Sequence, residues 1–244
     1  MRRHLKNRQK IKGLRMKIFN FLILVLSTQS VLAGPLSEKL EERKNASRSK
    51  TPAEIKKIMQ KATQDLKDSG IEEKALGVGK KVPDFKIGGE SFESIYKKGV
   101  TVVSFYRGGW CPYCMLQLKE FQRLYGEFKN NGIKLIALAP DTTKQIAKTK
   151  RNHKLSFPIY SDKDNEIAAK FGLAFQLPED LQKVYQKFQI DLKEYQGNED
   201  NKLPLPGTYI VDTQGNIRYA FAKADYTLRA EPEDVLKRAK EIAK

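Results

Sequence analysis

Phe105-Tyr106-Arg107-Gly108-Gly109-Trp110-Cys111-Pro112-Tyr113-Cys114 holds the only two cysteines of this 244-residue chain. The segment leading into it, Val102-Val103-Ser104-Phe105-Tyr106, has the β-branched and aromatic content of a buried strand. Beyond it, Cys114, Leu118, Phe121, Tyr125 and Phe128 share one helical face, so a helix is predicted from the cysteines to about Lys129, broken by Asn130-Asn131-Gly132. A strand that ends in Cys-x-x-Cys and opens a helix is the layout of a thiol–disulfide redox site. Cysteines this close would close only a tiny loop, so a structural staple gains little entropy and redox chemistry explains the pair better.

Working outward, an α/β alternation runs from about residue 76. Short strands are predicted at Val82–Ile87, Lys134–Pro140 and Phe157–Tyr160, with helices at 142–153 and Glu166–Phe171. Residues 174–203 interrupt the pattern as a partly helical insertion, with Leu181, Val184, Tyr185 and Phe188 at helical spacing and an exposed loop at Gly197–Lys202. Thr208–Val211 and Ile217–Ala220 read as a hairpin, and a last helix starts near Pro232. On the other side, 34–50 reads as a polar, basic linker or frayed arm. Thr51-Pro52-Ala53-Glu54 then reads as an N-cap, first-turn proline and capping-box acid. The amphipathic helix that follows carries Ile55, Ile58, Met59, Ala62 and Leu66 on one stripe and ends at Ser69-Gly70.

The first 33 residues have the order of a secretory signal: eight Lys or Arg and no acid in 1–17, an apolar run Ile18–Leu26, and small residues before a cut near Ala33-Gly34. Met16 is an alternative start. Removing those eight charges from the full chain's +17 leaves +9, spread without aromatic–basic repeats, which is a solvated surface rather than a nucleic-acid footprint. The expected location is periplasmic or secreted, with no stable membrane insertion once the signal is removed.

The order strand, redox turn, helix, strand, helix, hairpin, helix is that of a thioredoxin-like fold. Val82-Pro83-Asp84-Phe85, the cysteine turn, and Pro206-Gly207-Thr208-Tyr209-Ile210-Val211-Asp212 with Gly215-Asn216-Ile217-Arg218 resemble the alkyl hydroperoxide reductase/thiol-specific antioxidant family, the peroxiredoxins. Arg107–Cys114 together with Asp225–Asp234 resemble a subgroup carrying a thioredoxin-style Cys-x-x-Cys. The resemblance covers roughly 76–244 and implies a hydroperoxide-reducing antioxidant enzyme, a thioredoxin-like reductant and no cofactor. Many relatives are dimers. It lays the peroxidatic cysteine on Cys114, but puts Cys111 where the family has threonine, Arg107 where it has proline, and Pro206 where it has its peroxide-binding arginine. Pro206 matches instead the position of the cis-proline of thioredoxins.

Two schemes follow. In one, an exposed Cys111 attacks a disulfide and Cys114 resolves it. In the other, Cys114 attacks a peroxide, becomes a sulfenic acid and condenses with Cys111. The helix N-terminus at Cys111 and the charge of Arg107, unless that side chain is merely solvated, are the means of lowering a thiol pKa. Trp110 and Tyr113 supply an apolar collar, and Pro112 opens the helix. Losing the threonine and arginine predicts a slower peroxidase, at ~3 kcal/mol per lost donor. A non-catalytic thioredoxin-fold binding module is the third alternative. With His4 inside the expected signal, two cysteines and His153 are too few for a zinc site, and no metal is expected.

Overall fold

Thr101–Phe105 forms β3, buried along its whole length, because both faces of the sheet it centres are covered. In the computed structural model, which describes residues 34–244, the order is α1 (Pro35–Lys50), α2 (Ala53–Asp68), α3 (Ile71–Lys74), β1 (Lys86–Ile87), β2 (Glu90–Ser91), α4 (Phe92–Tyr96), β3, α5 (Pro112–Asn130), β4 (Lys134–Ala139), α6 (Thr143–His153), β5 (Ile159–Ser161), α7 (Glu166–Lys170), β6 (Ala174–Gln176), α8 (Glu179–Lys187), α9 (Leu192–Gln196), β7 (Lys202–Pro204), β8 (Gly207–Val211), β9 (Ile217–Ala222) and α10 (Pro232–Ile242). The predicted signal and its cut lie outside the described residues. No helix among those described is long and apolar enough to cross a membrane.

The central sheet runs β5-β4-β3-β8-β9, with β3, β4 and β5 parallel, β8 antiparallel to β3, and β9 antiparallel to β8. Side chains alternate across it. Val102, Leu135 and Ala137 face a layer containing Leu118, Phe121 and Leu236, from α5 and α10. Val103, Ile136 and Leu138 face Phe85, Phe92, Phe171 and Leu173. This is the expected thioredoxin-like α/β fold. The insertion is a β6–β7 hairpin enclosing α8 and α9, clamped on α2 by Ile55, Ile58, Met59 and Ala62 against Leu181 and Val184.

Several local expectations change. Residues 34–50 are not a linker: they form α1, whose Leu36 and Leu40 are buried with Leu118 and Leu236. The helix has almost no apolar stripe, so periodicity could not find it. It is fastened at one end, where Leu36 N, Ser37 N and Ser37 Oγ donate to the Glu231 carboxylate at 3.2, 3.2 and 3.1 Å. Lys39 adds an ion pair to Glu120, which also accepts from Arg123 at 2.8 Å. Thr51 does not cap α2; its hydroxyl donates back to Ser47 O at 2.8 Å and closes α1, leaving Pro52 at the α2 N-cap. Phe188 sits at the C-cap of α8 and is 43% exposed, off the stripe it was assigned to. The first predicted strand shortens to Lys86–Ile87.

Leu36→Ala is expected to cost about 2–4 kcal/mol in urea denaturation, the range for truncating a buried leucine. A change below about 0.5 kcal/mol, the size of a surface substitution, would mean that α1 does not belong to the core.

Candidate active site: a buried dithiol between two arginines

The parallel pairing of β3 with β4 brings the carboxyl ends of both strands together, and the redox turn leaves from there. Gly108 adopts φ 146°, a conformation that side chains other than hydrogen rarely take. A Cβ at that position would collide with the Trp110 indole nitrogen and come within 2.8 Å of Asp141 Oδ1. Cys111 is the N-cap of α5 and Pro112 its first residue, where a missing N–H costs nothing. Both cysteines are free thiols and both are buried, at 1% and 0% exposure. The exposed attacking Cys111 of the thioredoxin-like scheme is therefore corrected.

The acidity is also placed differently from the sequence expectation. Burial pushes the Cys114 thiol up, but the Cys111 S–H, the Arg229 guanidinium, the Arg107 backbone N–H and the Arg107 charge outweigh it and bring the pKa down to about 5. The Cys111 thiol goes the other way: burial raises it, and so do its hydrogen bond and proximity to the Cys114 thiolate. Capping the helix does not acidify Cys111, because the nearby negative sulfur and the lack of water dominate.

Arg229, in the segment between β9 and α10, donates from Nη2 to Cys114 Sγ at 3.4 Å. The preceding turn fixes it there: Nη1 donates to the carbonyls of Leu228, at 2.8 Å, and Tyr226. Arg107 is buried, not solvated. Its guanidinium lies 5.2, 5.8 and 4.5 Å from the ring centroids of Trp110, Tyr185 and Tyr226, and it donates to the Tyr185 hydroxyl. Trp110 packs edge-on against Tyr185 at 5.3 Å, and Tyr113 against Tyr226 at 5.5 Å. The collar thus exists, with two further tyrosines in it. Pro112 is exposed, while Pro206 is buried at the start of β8. No cis peptide occurs among the described residues, so Pro206 does not reproduce the thioredoxin feature.

Behind the turn, Asp141 is fully buried. Its Oδ2 accepts from Gly109 N at 2.8 Å, and Oδ1 has no partner. Burial, with the Cys114 charge adding to it, raises its pKa to about 7. A carboxyl that holds its proton more tightly when folded loses stability as pH rises from about 4 to about 7, and the full loss persists above that. Asp141→Asn, which can keep the Gly109 hydrogen bond, is expected to stabilise the protein by on the order of 3 kcal/mol at pH ~8 and by little at pH ~4. Equal Tm shifts at the two pH values would refute the assignment.

A cleft of about 190 Å³, lined by Met59, Leu66, Phe175, Leu181, Leu205 and Tyr226, ends at Arg107, whose Nε is unpartnered. Among the described residues no cluster of His, Cys, Asp and Glu could hold a metal ion.

Of the residues the sequence singles out, Arg107, Trp110 and Tyr113 gather around Cys111 and Cys114, Pro112 is exposed, and Pro206 lines the same cleft as Arg107, Tyr185 and Tyr226. Sequence reasoning missed Arg229, Asp141, Tyr185 and Tyr226. Three of these carry a usable signal: Tyr226 and Arg229 lie in Asp225–Asp234, the segment that resembles the paired-thiol subgroup, and Asp141 follows a strand parallel to the one that delivers the cysteines, where open α/β sheets place their chemistry.

The AhpC/TSA family model matches residues 78–220. The thiol-disulfide oxidoreductase ResA of Bacillus thuringiensis is 25% identical over 149 residues, covering 59% of this chain and 69% of that protein. The Helicobacter pylori protein named as a peroxiredoxin, bcp, is 26% identical over 150 residues, covering 60% and 88%. In three dimensions, peroxidoxin BcpB from Mycobacterium tuberculosis superposes with a TM-score of 0.52 at 18% identity, covering 69% of this chain and 99% of that one. A matching family model over more than half of the chain, around a paired-thiol turn on this sheet, makes the protein a member of the AhpC/TSA family and an oxidoreductase of thioredoxin-like fold.

Proposed function

We propose that the protein reduces hydroperoxides through a Cys111/Cys114 dithiol–disulfide cycle. The observation that carries this reading is the Arg229–Cys114 contact: a buried, acidified thiolate with a guanidinium at 3.4 Å. The thiolate attacks the distal peroxide oxygen, the O–O bond breaks, and the departing alkoxide takes up a proton. Arg229 and Arg107 stand where charge moves off sulfur onto oxygen, an electrostatic role that the family assigns to other positions. Cys111 then condenses with the Cys114 sulfenic acid, expelling water and forming the disulfide. A thioredoxin-like dithiol returns both sulfurs to the reduced state.

Burial favours this scheme over attack by Cys111 on a protein disulfide. In the reduced form the sulfurs are exposed by 1% or less, which suits a small substrate better than a folded protein disulfide, and the apolar cleft to Arg107 suits the carbon end of an organic hydroperoxide. Export is part of the reading. A cut after Ala33 would leave intact the Glu231 clasp on Leu36 and Ser37, so processing spares the fold.

The test is a Cys111→Ser variant given cumene hydroperoxide and a dimedone-type probe. One label per chain at Cys114 is expected. An unlabelled Cys114, with Cys111 of the intact protein instead forming mixed disulfides with a reporter disulfide, would replace the peroxidase reading by the oxidoreductase one.

A further inference from the structure

α1 and α2 are joined by a short link, and the trough between them is lined by cations from both: Lys44 and Arg48 from α1, Lys56 and Lys67 from α2. The trough encloses about 460 Å³, a volume typical of small-ligand pockets. Tyr113 and Tyr226 form its inner wall. Tyr113 adjoins Cys114 in the chain, and the Tyr226 ring lies 4.5 Å from the Arg107 guanidinium, so this wall is also the collar of the dithiol.

Neighbouring cations on the same helices are paired, Lys39 with Glu120 and Lys61 with Asp65. Among the described residues, none of the four trough cations has an ion-pair partner. The one carboxylate in the lining, Asp225, accepts at Oδ1 from the backbone N–H and hydroxyl of Thr227, at 3.0 and 2.7 Å, and its single charge leaves the trough with an excess of cations. Like charges held facing one another across a cleft raise the energy of the free protein, and an anion between them relieves it.

We propose that this trough binds small thiols carrying two or more carboxylates, and that these donate electrons to the Cys111–Cys114 disulfide as a second route beside a thioredoxin-like dithiol. The proposal rests on the reading that the two cysteines cycle through a disulfide. The donor thiolate attacks the Cys111 sulfur, the S–S bond breaks, and Cys114 departs as a thiolate. Cys114 is the better leaving group because Arg229 and Arg107 stabilise its anion. A second donor thiolate attacks the donor sulfur of the mixed disulfide and releases Cys111. Two donor thiols lose two electrons and become one disulfide. Of their two protons, one goes to Cys111 and the other to solvent. A slender donor also meets the steric demand, since both sulfurs are buried.

The experiment starts from protein oxidised with diamide, so it does not depend on peroxidase activity. Reduction by mercaptosuccinate, mercaptoethanol and cysteamine is followed through Trp110, the only tryptophan, and each rate is divided by that thiol's rate on a simple dialkyl disulfide. Mercaptosuccinate is expected to be favoured over mercaptoethanol by about tenfold at low salt, and cysteamine to be the slowest. High salt should erase the order, as should Lys44→Gln with Arg48→Gln, while Lys237→Gln on α10 leaves it intact. If the double variant misfolds, Lys56→Gln and the wild-type salt dependence carry the test.

Equal corrected rates for the three thiols would overturn the proposal. So would an order that survives in the trough variants, or a loss confined to thioredoxin-driven reduction. Failure of diamide to join the pair would remove the dithiol reading itself, and the proposal with it.

Discussion

Cys114→Ser is expected to lose hydroperoxide turnover by at least about a thousandfold, with no residual burst, because the nucleophile itself is gone. Cys111→Ser should behave differently. Its Cys114 keeps the Arg229 contact and the Arg107 N–H, and should still react once per chain, at a rate within about tenfold of the wild type. It should then stall as a sulfenic acid, since no second thiol can condense with it. Serine keeps a hydroxyl donor where the Cys111 S–H stood, so Cys114 should stay acidic in this variant, whereas Cys111→Ala, which removes the donor, should titrate higher than the intact pair. Single-turnover stopped-flow with intact-mass detection of one added oxygen checks both halves. A Cys111→Ser protein that reacts no faster than free cysteine, beside a Cys114→Ser protein that does react, would assign the chemistry to the wrong sulfur.

Arg229→Met is expected to lower the rate of the first oxidation by about a hundredfold or more, the usual consequence of deleting one preorganised donor. The same change should raise the thiolate pKa. In the wild type, the rate of alkylation by iodoacetamide should rise through about pH 5 and be flat across neutral pH; in the variant the rise should move toward neutral. Arg229→Lys keeps the charge but loses the fork that holds the carbonyls of Tyr226 and Leu228 while touching the sulfur, so it should recover only part of the rate. A residue with a merely structural role would change stability and leave the alkylation profile where it is. An unshifted profile in Arg229→Met would therefore remove Arg229 from the mechanism.

Much of this arrangement could be read along the chain. β3, the redox turn and α5 are specified by neighbouring residues: β-branched and aromatic side chains for the strand, Gly108 for the turn, Pro112 and the Cys114–Phe128 stripe for the helix. The hairpin of β8 and β9 and the stripe of α10 were legible for the same reason. Local failures have local causes too. α1 shows little amphipathic character and is held by a carboxylate 194 residues away, which no window of sequence contains. Thr51 had the form of a helix start, yet its hydroxyl found a nearer acceptor in the preceding helix.

By itself, the sequence determined that two thiols stand at the junction of a buried strand and a helix, within a thioredoxin-like order of elements. Short-range sterics and hydrophobic periodicity suffice for that. Which thiol is acidic was decided only by the tertiary structure. Arg229 lies 115 residues from Cys114, Tyr185 lies 78 from Arg107, and Asp141 lies 32 from Gly109. The electrostatics of a buried sulfur depend on distance in space and on the exclusion of water, and neither quantity exists until the sheet has brought those segments together.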